Sequence, residues 1–177
     1  MRVTRALAIG VGVAALTATA GCGGKDTADS GLPEAKDVAS VAKYVSAYTT
    51  CEAVQSGDAY DTNRTGENYS WGAGGEVDAP SWGIKERAVC KDASGDAITL
   101  LITPDMRKFQ SAVKKNHEKL LVGQDFAVVP TGNDAIRGLT TSDLRLLTCD
   151  PDFSVPSGYT KKAALVDGCV LTDYLPG

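Results

Sequence analysis

The stretch that decides the fold covers residues 84–103 and reads IKERAVCKDASGDAITLLIT. Two stretches, residues 84–91 and 97–103, flank the turn-forming sequence DASGD, whose glycine can adopt a positive φ. We therefore predict a β-hairpin. In the second stretch Ile98, Leu100 and Ile102 alternate with Thr99, Leu101 and Thr103, which predicts a strand with one face fully buried and the other partly covered.

Helical and extended patterns alternate after this hairpin. Thr103-Pro104-Asp105 is a typical helix start, with a cap, a proline at the first helical position and an acid in the first turn. It predicts a helix over residues 104–119 that turns Met106, Phe109, Val113 and Leu120 inward. We predict strands over residues 124–129, 144–149 and 169–174, and a short helix that carries Ala135, Ile136 and Leu139.

The pattern before the hairpin predicts one more helix. Val38, Val41, Val45 and Tyr48 recur at steps of three and four, the spacing of one helix face, which predicts a helix over residues 34–54. Cys51 continues this step, so it is expected on the buried face. The order of elements predicts an α+β fold: a single-domain sandwich, mainly antiparallel, with helices layered on one face and two disulfides.

Between the first helix and the hairpin, residues 56–83 form a long loop rich in glycine, aspartate and asparagine. Loops of this length in compact domains are often functional. The loop holds four large aromatic residues: Tyr60, Tyr69, Trp71 and Trp82. Exposed rings could stack on sugars or anchor a partner protein, whereas rings folded inward would only pin the loop to the core.

The first residues have the pattern of an export signal. Arg2 and Arg5 precede an uncharged apolar run over residues 6–16, which is too short to cross a bilayer as a helix. Small residues then lead to a cysteine in Thr19-Ala20-Gly21-Cys22. Ordinary cleavage after Ala18 or Ala20, with Cys22 as a spare thiol, is the alternative to the interpretation that follows.

The sequence Thr19-Ala20-Gly21-Cys22 resembles the lipobox of bacterial lipoproteins, although leucine is commoner than threonine three residues before the cysteine. The resemblance implies that residues 1–21 are removed and that Cys22 carries the lipid. Residues 22–31 are small and polar and predict a flexible tether, followed by one globular domain over residues 32–177. The expected location is the outer face of the cytoplasmic membrane.

Charge argues against a nucleic-acid partner. The chain has 18 basic and 22 acidic residues, and loss of Arg2 and Arg5 with the signal leaves a formal charge of −6. Binding to nucleic acid needs a basic stripe that neutralises phosphates. Lys114, Lys115 and Lys119 form a local basic patch, but such a run on a helix is usually a solvated face.

With Cys22 assigned to the lipid, the four remaining cysteines, Cys51, Cys90, Cys149 and Cys169, are expected to form disulfides outside the membrane. Four cysteines allow three pairings, between which sequence alone does not decide. We favour Cys51 with Cys90 and Cys149 with Cys169, because each pair would link neighbouring elements.

No residue cluster carries a specific chemistry, and we predict neither a catalytic residue, nor a metal site, nor a cofactor. His117, the single histidine, is expected to be a solvated surface residue among lysines. Loop oxygens on Asp58, Asp61, Asn63 and Glu67 lack the spacing of a calcium-binding EF-hand.

These observations favour a non-enzymatic binding or interaction module whose partner is an envelope protein or a cell-wall glycan, with residues 56–83 as the contact region. The first alternative is a cell-wall hydrolase that draws an acid/base pair from Asp58, Asp61, Glu67 and Glu76. The second is a structural envelope lipoprotein without a ligand.

Replacement of the lipobox cysteine tests the predicted anchor. Cys22→Ser should abolish labelling by a fatty-acid analogue, because the thiol that accepts the lipid is gone, and the chain should be released or remain unprocessed. Thr27→Ser in the tether should leave labelling unchanged. Labelling of the Cys22→Ser chain at the normal level would contradict the anchor.

Overall fold

A computed structural model describes residues 31–56, 71–72 and 79–176. In this part of the chain four helices and eight strands form an α+β domain around one antiparallel sheet, as predicted. The helices are α1 (Val38–Val45), α2 (Ala79–Trp82), α3 (Met106–Asn116) and α4 (Asn133–Leu139). The strands are β1 (Glu52–Ser56), β2 (Glu86–Lys91), β3 (Ala97–Ile102), β4 (Lys119–Val122), β5 (Phe126–Pro130), β6 (Arg145–Thr148), β7 (Lys161–Ala163) and β8 (Val170–Thr172). Their order across the sheet is β1-β2-β3-β5-β4-β6-β8-β7, and none of these helices is long and apolar enough to span a membrane.

The predicted hairpin is present as β2 and β3, which pair in register from Glu86 opposite Ile102 to Lys91 opposite Ala97. The side chain of Asp92 closes the turn, because its Oδ1 accepts hydrogen bonds from the backbone N–H groups of Ser94 and Asp96, both at 2.9 Å. All six residues of β3 are buried, which places this strand in the interior of the sheet.

Helices cover both faces of the sheet, which corrects the prediction of one helical layer. Ile98 and Leu100 of β3 share a core cluster with Val41 of α1 and Leu139 of α4. Leu101, on the opposite face of β3, belongs to a second cluster with residues of α2 and α3. Because β3 is apolar on both faces, each face needs its own cover.

The first helix is shorter than its apolar periodicity predicts. Asp37 caps α1 by accepting a hydrogen bond from the N–H of Ser40 at 2.8 Å, and the helix ends at Val45 instead of residue 54. The chain then turns and enters β1, so Cys51 precedes an edge strand and does not lie on a helix. The strand was missed because all five of its residues are exposed and give no alternating pattern.

Both favoured disulfides are confirmed, with S–S distances of 2.03 Å for Cys51–Cys90 and 1.97 Å for Cys149–Cys169. The first joins the start of β1 to β2 at the edge of the sheet. The second joins the end of β6 to the start of β8.

Two further strands were absent from the sequence prediction. His117 takes a left-handed φ of 58° and ends α3 at Asn116, which releases the following residues to form β4. The cap of α3 is Asp105, two residues after the predicted Thr103. Strand β7 has three exposed residues at the other edge of the sheet.

The first described residues are fixed to the turn between β4 and β5. The N–H of Gln124 donates to the carbonyl of Pro33 at 2.9 Å, and the N–H of Ala35 donates to Asp125 Oδ1 at 2.8 Å. The chain therefore enters the domain at this end of the sheet. The β2–β3 turn lies at the opposite end, as the strand registers require.

Gly132, just before α4, allows the close approach of this helix to the β2–β3 turn. A Cβ at Gly132 would lie 2.4 Å from Asp92 Oδ2 and 2.6 Å from Asp96 Oδ2. Gly132→Ala should lower the free energy of unfolding by about 1–3 kcal/mol, because overpacking must push the turn away from the helix. Urea denaturation measures this change.

Ser157→Ala, in an exposed loop, is the control for that measurement and should change stability by less than about 0.5 kcal/mol. If Gly132→Ala is as stable as this control, the contact between α4 and the turn is looser than the structure indicates.

Candidate functional site

The aromatic residues predicted to form a binding site are only partly within the described residues. Tyr60 and Tyr69 lie outside them. Trp82 is on α2 and only 5% exposed, and Trp71 is half-buried. The two indoles meet edge to face with ring centroids 5.3 Å apart, and Trp82 also packs 6.0 Å from Phe109 of α3. Trp82 is therefore part of the core and presents no broad ring face to a ligand.

A groove of about 390 Å³ lies beside Trp82, between α2 and α3. We call it the α2–α3 groove. Trp82 lines it together with Ser81, Lys108, Ser111, Ala112, Lys115 and Asn116. One residue of the predicted site thus borders a concave surface, while most of the other lining residues belong to α3.

Helix α3 is strongly cationic: over residues 106–116 it carries Arg107, Lys108, Lys114 and Lys115 and no acidic residue. Two of these cations hold the loop before β8. Arg107 donates to the carbonyl of Leu165, and Lys114 Nζ donates to the carbonyl of Asp167 at 2.7 Å. These contacts turn two charges away from the groove.

Lys108 and Lys115 are the other two cations of α3, and both line the groove. Their side chains are exposed, and neither forms an ion pair or hydrogen bond with any residue that the structure describes. They are seven positions apart, which is two helical turns and about 10 Å along the axis. The groove therefore has a wall with two available positive charges.

Two polar side chains near these lysines can take part in hydrogen bonding. Ser111 Oγ donates to the carbonyl of Arg107 at 2.9 Å, and Asn116 Nδ2 donates to the carbonyl of Ala112 at 2.8 Å. Both retain an oxygen that can accept. None of the described residues that line the groove carries a carboxylate, an imidazole or a thiol, so these residues offer the chemistry of binding without an acid/base pair.

The other sequence-predicted functional groups do not meet at this groove. His117 is exposed just beyond the end of α3 and is absent from its lining. The acid/base candidates Asp58, Asp61, Glu67 and Glu76 lie outside the described residues, as do Asn63 and Cys22. Among the residues of ranges 31–56, 71–72 and 79–176, no group of three or more histidine, cysteine or acidic side chains could hold a metal ion.

Sequence reasoning missed Lys108 and treated Lys115 as part of a solvated basic patch. The available signal was the spacing of seven between the two lysines on a helix without acidic residues. The direction of Arg107 and Lys114 could not be read from the sequence, because their acceptors are backbone carbonyls more than 50 positions away.

A second concavity, of about 200 Å³, lies on the other face of the sheet. Its lining is apolar except for Lys119 and includes Leu121, Val128, Ile136 and Leu146. Lys119 Nζ is 3.0 Å from Asp150 Oδ2 and 5.1 Å from the centre of the Phe153 ring. Beside it, Phe153, Tyr159 and Tyr174 form an aromatic cluster in which Tyr159 is 50% exposed. Lys119 is thus the one charged residue among the described lining residues, and it is paired with Asp150.

Comparison of the chain with protein-family models, with curated proteins and with solved structures finds no match.

The Lys119–Asp150 pair gives a testable pH dependence. A hydrogen bond from Lys119, reinforced by the N–H of Asp152, lowers the pKa of Asp150 below its ordinary value of 3.8. The pair's contribution to stability is therefore complete above the ordinary pKa and is lost as the pH falls through the lowered one. Lys119→Gln should raise the pKa of Asp150 towards its ordinary value, as measured by NMR titration of the carboxyl carbon.

Lys161→Gln, on the edge strand β7, is the matched control and should leave the Asp150 titration unchanged. An equal shift in both variants would show that general charge, and not the specific pair, determines the pKa of Asp150.

Proposed function

We propose that the mature chain is a non-enzymatic binding module, anchored by lipid on Cys22 at the outer face of a bacterial cytoplasmic membrane, and that the α2–α3 groove is its contact surface. The observation that carries the binding role is the groove itself, with Trp82 at its base and two available lysines on its wall. The basic start, apolar run and lipobox-like sequence support the anchor.

The entry point of the chain supports this arrangement. The first described residues contact the domain at the β4–β5 turn, where Gln124 and Asp125 hold residues 33–35. Helix α3 follows β3 at this same end and leads to β4 at the opposite end of the sheet. The groove therefore runs along a flank of the domain, where a tethered protein can present it to a partner beside the membrane.

A binding role accounts for the groove better than either alternative. The hydrolase alternative rests on loop carboxylates outside the described residues, and none of the described residues that line the groove carries a carboxylate. A structural lipoprotein without a ligand does not require an open concavity with uncompensated charges. Pockets with a few convergent polar groups are the usual sites of ligand binding.

Filling the groove tests the proposal. Ser111 is exposed on α3, so Ser111→Trp should occupy the groove without entering the core. Full-length chain purified in non-ionic detergent is immobilised and incubated with an extract of the bacterium's cell envelope. We expect the Ser111→Trp chain to capture about one fifth or less of the carbohydrate or protein that wild type captures, which corresponds to a loss of about 1 kcal/mol of binding free energy.

Lys43→Trp is the matched control, because Lys43 is exposed on α1, on the other side of the sheet. It adds the same ring far from the groove and should retain wild-type capture. If Ser111→Trp and Lys43→Trp capture as much as wild type, the groove is not the contact surface.

A further inference from the structure

The charge of α3 is opposite to that of the protein as a whole. The mature chain has a formal charge of −6, whereas α3 gathers four cations and no acid. Only Lys108 and Lys115 point their charge at the α2–α3 groove, since Arg107 and Lys114 are engaged with the loop before β8. The groove is thus a local positive surface on an acidic domain, and such a surface selects anionic partners.

The burial of Trp82 further restricts the ligand. With 5% of its surface exposed, this indole cannot stack broadly on a neutral sugar ring and serves as an apolar base for the groove. Recognition then depends on the two lysines and on the hydroxyl and amide groups of Ser81, Ser111 and Asn116. These groups suit a ligand that has both negative charge and many hydroxyls.

We infer that the α2–α3 groove binds an anionic glycan, a carbohydrate chain that bears carboxylate or phosphate groups and spans Lys108 and Lys115. The inference rests on the proposed function and specifies its ligand class. Each ammonium group attracts one anionic substituent, and the serine and asparagine side chains of the groove hydrogen-bond to sugar hydroxyls.

The geometry favours a glycan over the two other anionic partners, a lipid surface and an acidic protein. A planar bilayer cannot enter a concave groove on the flank of the domain. An acidic peptide would supply charge, but its acidic side chains offer fewer hydroxyl groups to Ser81, Ser111 and Asn116 than a sugar does. Competition with an acidic peptide and with a lipid headgroup tests these two alternatives.

Neutral and charged derivatives of one polymer distinguish binding to the anionic groups from binding to the sugar itself. Binding of neutral dextran, carboxymethyl dextran and dextran phosphate to the full-length chain in non-ionic detergent is measured at low and high salt. Carboxymethyl dextran or dextran phosphate should bind more tightly than dextran, and salt should weaken this binding. The charged derivative that binds more tightly shows whether the groove prefers carboxylate or phosphate groups.

The double variant Lys108→Gln, Lys115→Gln should bind the charged dextrans at least about fivefold less tightly, because two exposed charge contacts are lost. The matched control, Lys36→Gln with Lys43→Gln, removes two exposed lysines that are also seven positions apart and should bind as wild type does. An equal loss in both double variants, or equal binding of neutral and charged dextran, would overturn the inference.

Competitors identify the partner class. Poly-glutamate and dihexanoyl phosphatidylglycerol are compared with free dextran phosphate as competitors of the bound charged dextran. If poly-glutamate displaces it as effectively, the partner is a protein and the glycan assignment is overturned. If the phosphatidylglycerol does so, the partner is a lipid headgroup and the assignment is likewise overturned. The Ser111→Trp capture distinguishes this failure from failure of the proposed function. If Ser111→Trp loses envelope capture while the Lys108, Lys115 double variant keeps it, the groove binds a ligand that is not anionic.

Discussion

The structure depends on the burial of both faces of β3. Each of its six residues is buried, and alternate side chains enter two separate cores, Ile98 and Leu100 on one face and Leu101 on the other. A strand of this kind is stable only when both faces are covered. The cover on one face is α1 and α4, and that on the other is α2 and α3, so the groove exists because the second face needs two helices.

The elements of the fold that could be predicted are those determined by residues close together in the sequence. The β2–β3 hairpin follows from two strand-like stretches around an Asp-rich turn, and the disulfide pairs were favoured because each was expected to link neighbouring elements, although Cys51 precedes a strand and not the end of a helix. The layer of α2 and α3 on the second face of the sheet could not be assigned from local sequence patterns, although the apolar sequence of β3 is consistent with a cover on both faces. Strands β1 and β7 have only exposed residues, and their pairing is decided by neighbouring strands.

The candidate site was less predictable than the fold, because side-chain direction depends on tertiary contacts. Trp82 was singled out by its residue type, yet it packs against Phe109. A cationic helix face usually remains solvated, so Lys108 and Lys115 gave no distinct signal. Their proposed role depends on the position of α2, a helix of four residues within a stretch that the sequence pattern indicated only as a loop.

The disulfide at the far side of α3 is linked to the groove through one buried side chain. Gln110 is buried on α3, and its Oε1 accepts hydrogen bonds from the N–H groups of Leu165 and Val166 at 2.8 and 3.2 Å. Cys169, just beyond this loop, is bonded to Cys149. The disulfide therefore restrains the loop, and the loop fixes the rotation of α3 about its axis. Because Arg107 and Lys114 bind the same loop, this rotation also determines that Lys108 and Lys115 face the groove. On the proposed function, a ligand would meet lysines on a helix that is already oriented, which would reduce the entropy lost on binding.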